Sequence, residues 1–347
     1  MMSPDSPGFM TTSEVTDALL RERIRRVVFV RTDRLGETIL NLPAAASIKA
    51  ALPHAALTFV AHPEVAPLLQ RLPWIDAVVP YDEASTRAWW SRALALRALL
   101  RAQRCDAVIV SNAKKELHLA VWLAGIPRRV GYDRKWGRWL LTHRLRDQRA
   151  GGTRHEVEWN LDLVRALGLP VNGPAWRMPL FESEWDDVRR RLAAQGLDVS
   201  RPWLAVHPWT SNVRKQWPPE RYRALIEAIH AYLKHAVVLV GGAEAQPYAA
   251  SVIPAGVPVA NLIGHLSLVQ LAACLKQARL LISSDSGPVH LAAAMGTSTL
   301  VLFGTSDVAT SPRRWGPWGD GHIVIWKPAM DAITVEEVVA ALQRHLA

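Results

Sequence analysis

Residues 280–304, LLISSDSGPVHLAAAMGTSTLVLFG, leave few choices for the fold around them. An apolar run over 280–282 enters a loop of small polar residues over 283–287. Pro288 then stands where a first helical residue stands, because a proline there lacks only an N–H that has no partner anyway. Residues 290–295 continue the helix, Gly296 closes it, and 299–303 is a second buried strand. Strand, tight loop, helix, strand is the repeating unit of a parallel sheet. The same unit aims the unpaired N–H groups of the helix, and the positive end of its dipole, at Asp285, Ser286 and Gly287. That geometry suits a phosphate.

The alternation runs through the whole chain. Strands are expected over 24–31, 57–61, 77–79 and 107–111, with helices over 39–51, 65–69, 87–104 and 115–124. Pro43 extends the first polar loop to about Leu42 in this reading. A helix over 155–167 ends at Gly168, and 169–180 (LPVNGPAWRMPL) is rich in Pro and Gly and lacks any period. A second series follows. It has helices over 182–195, 219–232, 268–278 and 334–345, and strands over 203–207, 237–241 and 323–326, besides the opening unit. The fold class is therefore α/β, with two doubly wound domains over 27–170 and 181–347, a linker over 171–180 and a flexible extension over 1–26. Ligands of such sheets lie at the carboxyl ends of the strands, here in a cleft between the domains.

No apolar run reaches the about 18 residues of a membrane span, and the first residues lack the basic-then-apolar order of a signal peptide. Cys105 and Cys274 lie far apart in apolar surroundings and read as small buried hydrophobes of a cytoplasmic protein. The net charge of +10 favours an anionic partner. Much of it falls in residues 128–154, with nine Lys/Arg, among them Arg128, Arg129, Arg134 and Lys135, against two acids. Tyr132, Trp136 and Trp139 are interleaved. Nucleic acid, a phosphorylated sugar or lipid acceptor, and a solvated surface over a few buried rings are all open for this segment. No other stretch looks like a reader of bases.

Four loops after strands hold the chemistry. In the first, Arg34-Leu35-Gly36-Glu37-Thr38, Glu37 is placed either as a general base or as a carboxylate complementing a helix dipole. In the second, Thr210, Ser211 and Lys215 supply hydroxyls and a cation for phosphate oxygens. In the third, Gly241 and Gly242 allow close approach, and Glu244 suits ribose hydroxyls. In the fourth, Asp285 is a helix cap or a ligand contact, and His290 a core residue or a ligand contact. The chain has no Gly-x-x-x-x-Gly-Lys-Ser/Thr, no dinucleotide fingerprint and no Gly-x-Ser-x-Gly elbow. It also has no Cys/His array, HExxH or Asp-x-Asp, so no metal or other cofactor is expected.

Three blocks in this order carry a resemblance: Arg31-Thr-Asp-Arg-Leu-Gly-Glu37 with Leu42-Pro43; His207-Pro208 with Lys215-Gln-Trp-Pro218; and Asp285-Ser-Gly-Pro-Val-His290 with Gly296 and Leu302-Phe303-Gly304. Together they resemble the ADP-heptose:lipopolysaccharide heptosyltransferases, glycosyltransferase family 9. The resemblance implies a GT-B fold of two Rossmann-like domains and a metal-independent, inverting transfer from ADP-heptose. Glu37 matches the family's catalytic carboxylate, more commonly an aspartate, and Lys215 acts with it on the leaving group. Thr210, Ser211, Lys215, Ser286, Gly287 and His290 match donor-diphosphate contacts, Glu244 a ribose contact and Asp285 a heptose contact. Arg34, Arg128, Arg129, Arg134 and Lys135 would then face an anionic lipid-linked oligosaccharide at the cytoplasmic face of the inner membrane. The same fold with another nucleotide-sugar, or with a capsule or protein acceptor, is the alternative.

Overall fold

The computed structural model describes residues 23–85, 88–171, 177–179 and 181–346, without the side chains of Ser85, Lys135, Trp136 and Arg138. The first half contributes β1 (Arg26–Arg31), β2 (Ala56–Ala61), β3 (Ala77–Pro80), β4 (Ala107–Val110), β5 (Arg128–Asp133) and β6 (His143–Arg146). The second contributes β7 (Trp203–His207), β8 (Ala236–Leu239), β9 (Val259–Asn261), β10 (Leu280–Ser284), β11 (Ser298–Gly304) and β12 (Ile323–Lys327). They form two parallel six-stranded sheets, ordered β3-β2-β1-β4-β5-β6 and β12-β11-β10-β7-β8-β9. The second order is the first read backwards, so one winding occurs twice. In each half the strand order reverses beside the first strand, between β1 and β4 and between β7 and β10. A crevice opens there at the carboxyl edge.

The strands are apolar on both faces because helices cover both. In β1, Phe29 stacks on Phe59 of β2 with ring centroids 5.2 Å apart, while Val28 and Val30 point into the opposite layer. The helices Leu42–Ala51 and Glu156–Ala166 pack on the Phe29 face, and Trp89–Gln103 and Lys115–Leu123 on the other. Cys105 and Cys274 are buried free thiols, and burial pushes both up to about 12.

Several expected boundaries move. The loop expected to persist to Leu42 is helical over Leu35–Ile39, then breaks at Leu40 and Asn41. Pro43 starts the next helix rather than ending the loop. β10 extends through Ser283 and Ser284, and the following helix, Gly287–Met295, starts one residue before Pro288. β5, β6 and β9 are strands where none was expected. β9 is three residues long, and β6 (HRLR) is a sheet-edge strand whose side chains are too polar to read as core. Residues 1–22, 172–176 and 180, which hold most of the expected extension and linker, lie outside the described residues.

Contacts at several places tie the halves together. The Gly287–Met295 helix meets the Leu35–Ile39 helix across the cleft. Elsewhere Glu156, 1% exposed, accepts from Arg149 at 3.4 Å and from Arg314 of the second half at 2.9 Å. His155 Nε2 lies 2.9 Å from the Gly316 carbonyl, and its ring lies 4.6 Å from that of Trp318. Removing one member of a buried ion cluster leaves the others desolvated and unpaired. Glu156→Ala should therefore lower the unfolding free energy by about 3–5 kcal/mol. Urea denaturation checks this, and Glu158→Ala, on the exposed side of the same helix, should cost far less.

Candidate active site

The carboxyl edges of the two sheets face each other across a cleft of ≈ 920 Å³. Arg34, Glu37, Thr210, Ser211, Lys215, Glu244, Asp285, Ser286, Gly287 and His290 all line it. Residues 251 positions apart in sequence therefore share one wall system, built from the loops after β1, β7, β8 and β10.

Glu37 sits half-buried in the first turn of the Leu35–Ile39 helix, where the dipole favours its charge. The turn is held from below: Asn41 Nδ2 donates to the Glu37 carbonyl at 2.7 Å, and Thr38 Oγ1 to the Arg34 carbonyl at 3.1 Å. Opposite stands the N-terminus of the Gly287–Met295 helix. The approach is close enough to require glycine. A Cβ on Gly36 would lie 2.9 Å from His290 Cδ2 and 3.3 Å from Gly287 Cα.

Asp285 is buried and pairs with Lys215. Burial pushes its carboxyl up; the Lys215 ammonium opposes the rise, and the Glu37 carboxylate across the cleft adds to it. Asp285 does not cap the helix; that position belongs to Ser286, whose hydroxyl makes no cap bond. Ser286 Oγ instead lies 2.9 Å from Ser283 Oγ and 3.3 Å from His207 Nδ1. The β7–β10 register, which pairs His207 with Ser283, places these three together. The Thr210–Lys215 loop is shaped by Gln216, which donates to the Pro208 carbonyl at 2.6 Å and accepts from the Thr210 N–H at 2.9 Å. Arg34 reaches across the cleft and donates to Ser211 Oγ at 2.7 Å. It thus joins the wall expected for the donor rather than standing apart on the acceptor side.

The crevice of the first half is filled by its own ions. Lys114 Nζ bonds Asp33 at 2.6 Å and Glu83 at 2.9 Å, and Arg31 bonds Asp33 at 3.0 Å. Burial works to raise the Asp33 carboxyl, but Arg31 and Lys114 outweigh it and hold it below the usual carboxylate value. Asn112 donates to Thr32 Oγ1 at 3.3 Å, and Thr32 donates to Glu83. The sequence analysis gave no role of their own to Asp33, Glu83, Lys114, His207 and Gln216. Three of them had a signal: Asp33 and Lys114 follow parallel strands within four residues, and His207 ends one.

The basic segment divides. Arg128 and Arg129 open β5, at the amino edge of the sheet, opposite to the edge carrying Glu37. Arg129 donates to the carbonyls of Leu140 and Ile126 at 2.7 and 2.5 Å. Neither arginine lines the cleft. Arg134 follows the carboxyl end of β5 and is exposed, but it does not line the cleft; the Lys135 side chain lies outside the described residues. Arg149 and Arg154 are engaged by Asp147, Glu156 and Asp162, and Tyr132 is core.

Three imidazoles are kept neutral. Burial pushes His207 and His118 down to about 4 and His290 down to about 3. In the unfolded chain each takes a proton near its ordinary 6.5, before the folded form can. Stability should thus be full above that value and fall as the pH drops toward 4. The loss is up to about 1.4 kcal/mol per pH unit for each imidazole. Denaturant titrations from about pH 8 to pH 5 should show it, with a shallower slope in His207→Asn.

The sequence model of glycosyltransferase family 9 (heptosyltransferase) matches residues 93–342. Lipopolysaccharide heptosyltransferase 3 of Escherichia coli is 28% identical over 304 residues, which cover 84% of this chain and 86% of that protein. A crystal structure of a family 9 glycosyl transferase from Veillonella parvula matches with a TM-score of 0.82 at 21% identity, over 93% of this chain and 97% of that one. The E. coli ADP-heptose lps heptosyltransferase II gives 0.74 at 22% identity, over 93% and 98%. The architecture is GT-B, two α/β domains with a cleft between them. The family match takes in the whole second sheet, and the chain belongs to glycosyltransferase family 9, the heptosyltransferases.

Proposed function

We propose that this glycosyltransferase moves a heptose from ADP-heptose to a hydroxyl of a lipopolysaccharide-core acceptor, with inversion and without a metal ion. The observation that carries the reading is the placement of Glu37 opposite the Asp285–Lys215 pair, each at the N-terminus of a helix, across one cleft. The name of the E. coli relative of similar fold supports the donor.

In this reading Glu37 takes the proton of the acceptor hydroxyl as that oxygen bonds to the anomeric carbon. The bond from that carbon to the diphosphate oxygen breaks on the far side, and ADP leaves with the electron pair. Lys215, the hydroxyls of Thr210 and Ser211, and the Gly287–Met295 dipole stabilise the growing charge. Glu244 holds the ribose, and Asp285, released from Lys215 by the diphosphate, turns to the heptose hydroxyls. His290 and Ser286 line the diphosphate end as neutral donors. Closure of the cleft limits loss of the donor to water. The acceptor is an anionic lipid-linked oligosaccharide, and the enzyme works as a peripheral protein on the cytoplasmic face of the inner membrane. No helix among the described residues is long and apolar enough to cross a membrane.

Glu37→Gln should lower kcat by about 100- to 10,000-fold with little change in donor KM. Glu37→Asp should retain far more activity. Near-normal turnover in the Gln variant would remove Glu37 as the base. Lys215→Met should lower kcat by about 100-fold or more. Transfer should persist in a chelator, and ADP should compete with the donor better than UDP or GDP. Product analysis by mass spectrometry reads all of these.

A further inference from the structure

We propose that the outer face of the first sheet's second helical layer is a docking surface for an anionic phospholipid bilayer. The proposal rests on the reading of a lipid-linked acceptor and names the surface that would bring the enzyme to it. Residues 89–146 hold thirteen Lys/Arg against three Asp/Glu, a balance of +10 that equals the net charge of the whole chain. The remaining residues cancel, with twenty-eight of each sign.

The three acids of that stretch are all engaged by protein groups. Glu116 is buried and paired with Arg92 at 3.4 Å, Asp106 accepts from the Arg25 and Arg26 N–H groups, and Asp133 accepts from the Asp147 N–H. What faces outward is basic and aromatic. Along the Trp89–Gln103 helix, Trp90, Leu94 and Arg101 are exposed at spacings of four and seven and share a face. Along the Lys115–Leu123 helix, Lys115 and Trp122 are exposed seven residues apart. The indoles of Trp90, Trp122 and Trp139 are 56%, 49% and 67% exposed.

These elements form one surface. Lys115 Nζ stands 4.3 Å from the centre of the Trp89 ring, and Arg97 Nε donates to the Leu123 carbonyl at 3.2 Å, which joins the two helices at two points. The 3-10 turn bearing Trp139 packs against the second helix, where a Cβ on Gly137 would lie 2.6 Å from His118 Nδ1. Arg144 lies over the Trp139 ring at 5.6 Å. Indoles among cations, with the acids of residues 89–146 engaged by protein groups, match the headgroup region of an anionic bilayer: the rings settle at the apolar boundary and the cations meet phosphates. The Lys115–Leu123 helix follows Lys114, which bonds Asp33 in the loop after β1, so the surface lies on the half that carries Glu37.

The test is flotation of the full chain with vesicles of phosphatidylcholine alone or mixed with phosphatidylglycerol, both free of saccharide. Binding should require the anionic lipid and weaken with salt. It should fall about fivefold for each of Arg101→Gln and Lys115→Gln and be lost in Trp90→Ser/Trp122→Ser/Trp139→Ser. Both sets of variants should keep the wild-type unfolding midpoint and full turnover of a delipidated, water-soluble acceptor. Equal binding to neutral vesicles, undiminished binding of the triple variant, or tight binding to duplex DNA in place of vesicles would overturn the proposal. Vesicle binding without any transfer from ADP-heptose would overturn the reaction assigned above and leave the docking surface standing.

Discussion

The contact between the Leu35–Gly36 turn and the Gly287 helix is the constraint on which the cleft depends. Two helix N-termini, both positive ends, are brought face to face at Cβ-excluding distance. Such an arrangement is unfavourable unless negative charge lies between them. Glu37 and Asp285 supply it, and Lys215 and Arg34 bring the local charge back toward balance. An incoming diphosphate adds anions to a space already balanced by carboxylates. In the proposed reaction it would be accommodated by Lys215 changing partner, from Asp285 to phosphate. The burial that pushes the Asp285 carboxyl up makes that exchange easier, because a carboxyl leaving Lys215 can keep a proton or turn to sugar hydroxyls.

The two halves share a winding but not a use for it. In the first, the crevice beside β1 is closed by Arg31, Asp33, Lys114 and Glu83 bonded to one another. A phosphate entering there would have to break a satisfied ion network and would find no glycine before the first helical turn. In the second, the equivalent crevice beside β7 holds hydroxyls, a neutral imidazole and glycines after β8 and β10. Backbone N–H groups there remain within reach of a ligand. Under the proposed function, the asymmetry would gather donor chemistry on the second sheet and leave the base to the first.

How much of this was legible in the sequence depends on what each residue reports. Apolar runs such as VVFV and LLIS report burial on both faces, so the strands and the parallel architecture could be read directly. Residues just after strands report the carboxyl edge, which is why Glu37, Lys215, Glu244, Asp285 and His290 could be gathered before any coordinates. Pro43 misled because a proline that starts one helix looks like a proline that prevents another; the true break is at Asn41, whose side chain takes up the Glu37 carbonyl. Arg128 and Arg129 could not be placed from sequence because charge carries no information about which end of a strand it occupies. Their place at the amino edge follows from β5 running parallel to β4, a strand too basic to be read as one.

Separating the charge from the site has a physical consequence. Salt screens exposed charges beyond about 8 Å at physiological ionic strength, so cations spread along the Trp89–Gln103 and Lys115–Leu123 helices contribute little to the potential inside the cleft. Under the proposed function, donor recognition would rest on short-range partners, Lys215, the loop hydroxyls and one helix dipole, and would tolerate salt. Attraction of the whole particle to an anionic surface rests on the outer face and does not. An enzyme whose donor diffuses in water while its acceptor stays in a lipid layer gains from that division. If both proposals hold, binding to the layer would be tuned by surface residues without moving the base proposed at Glu37.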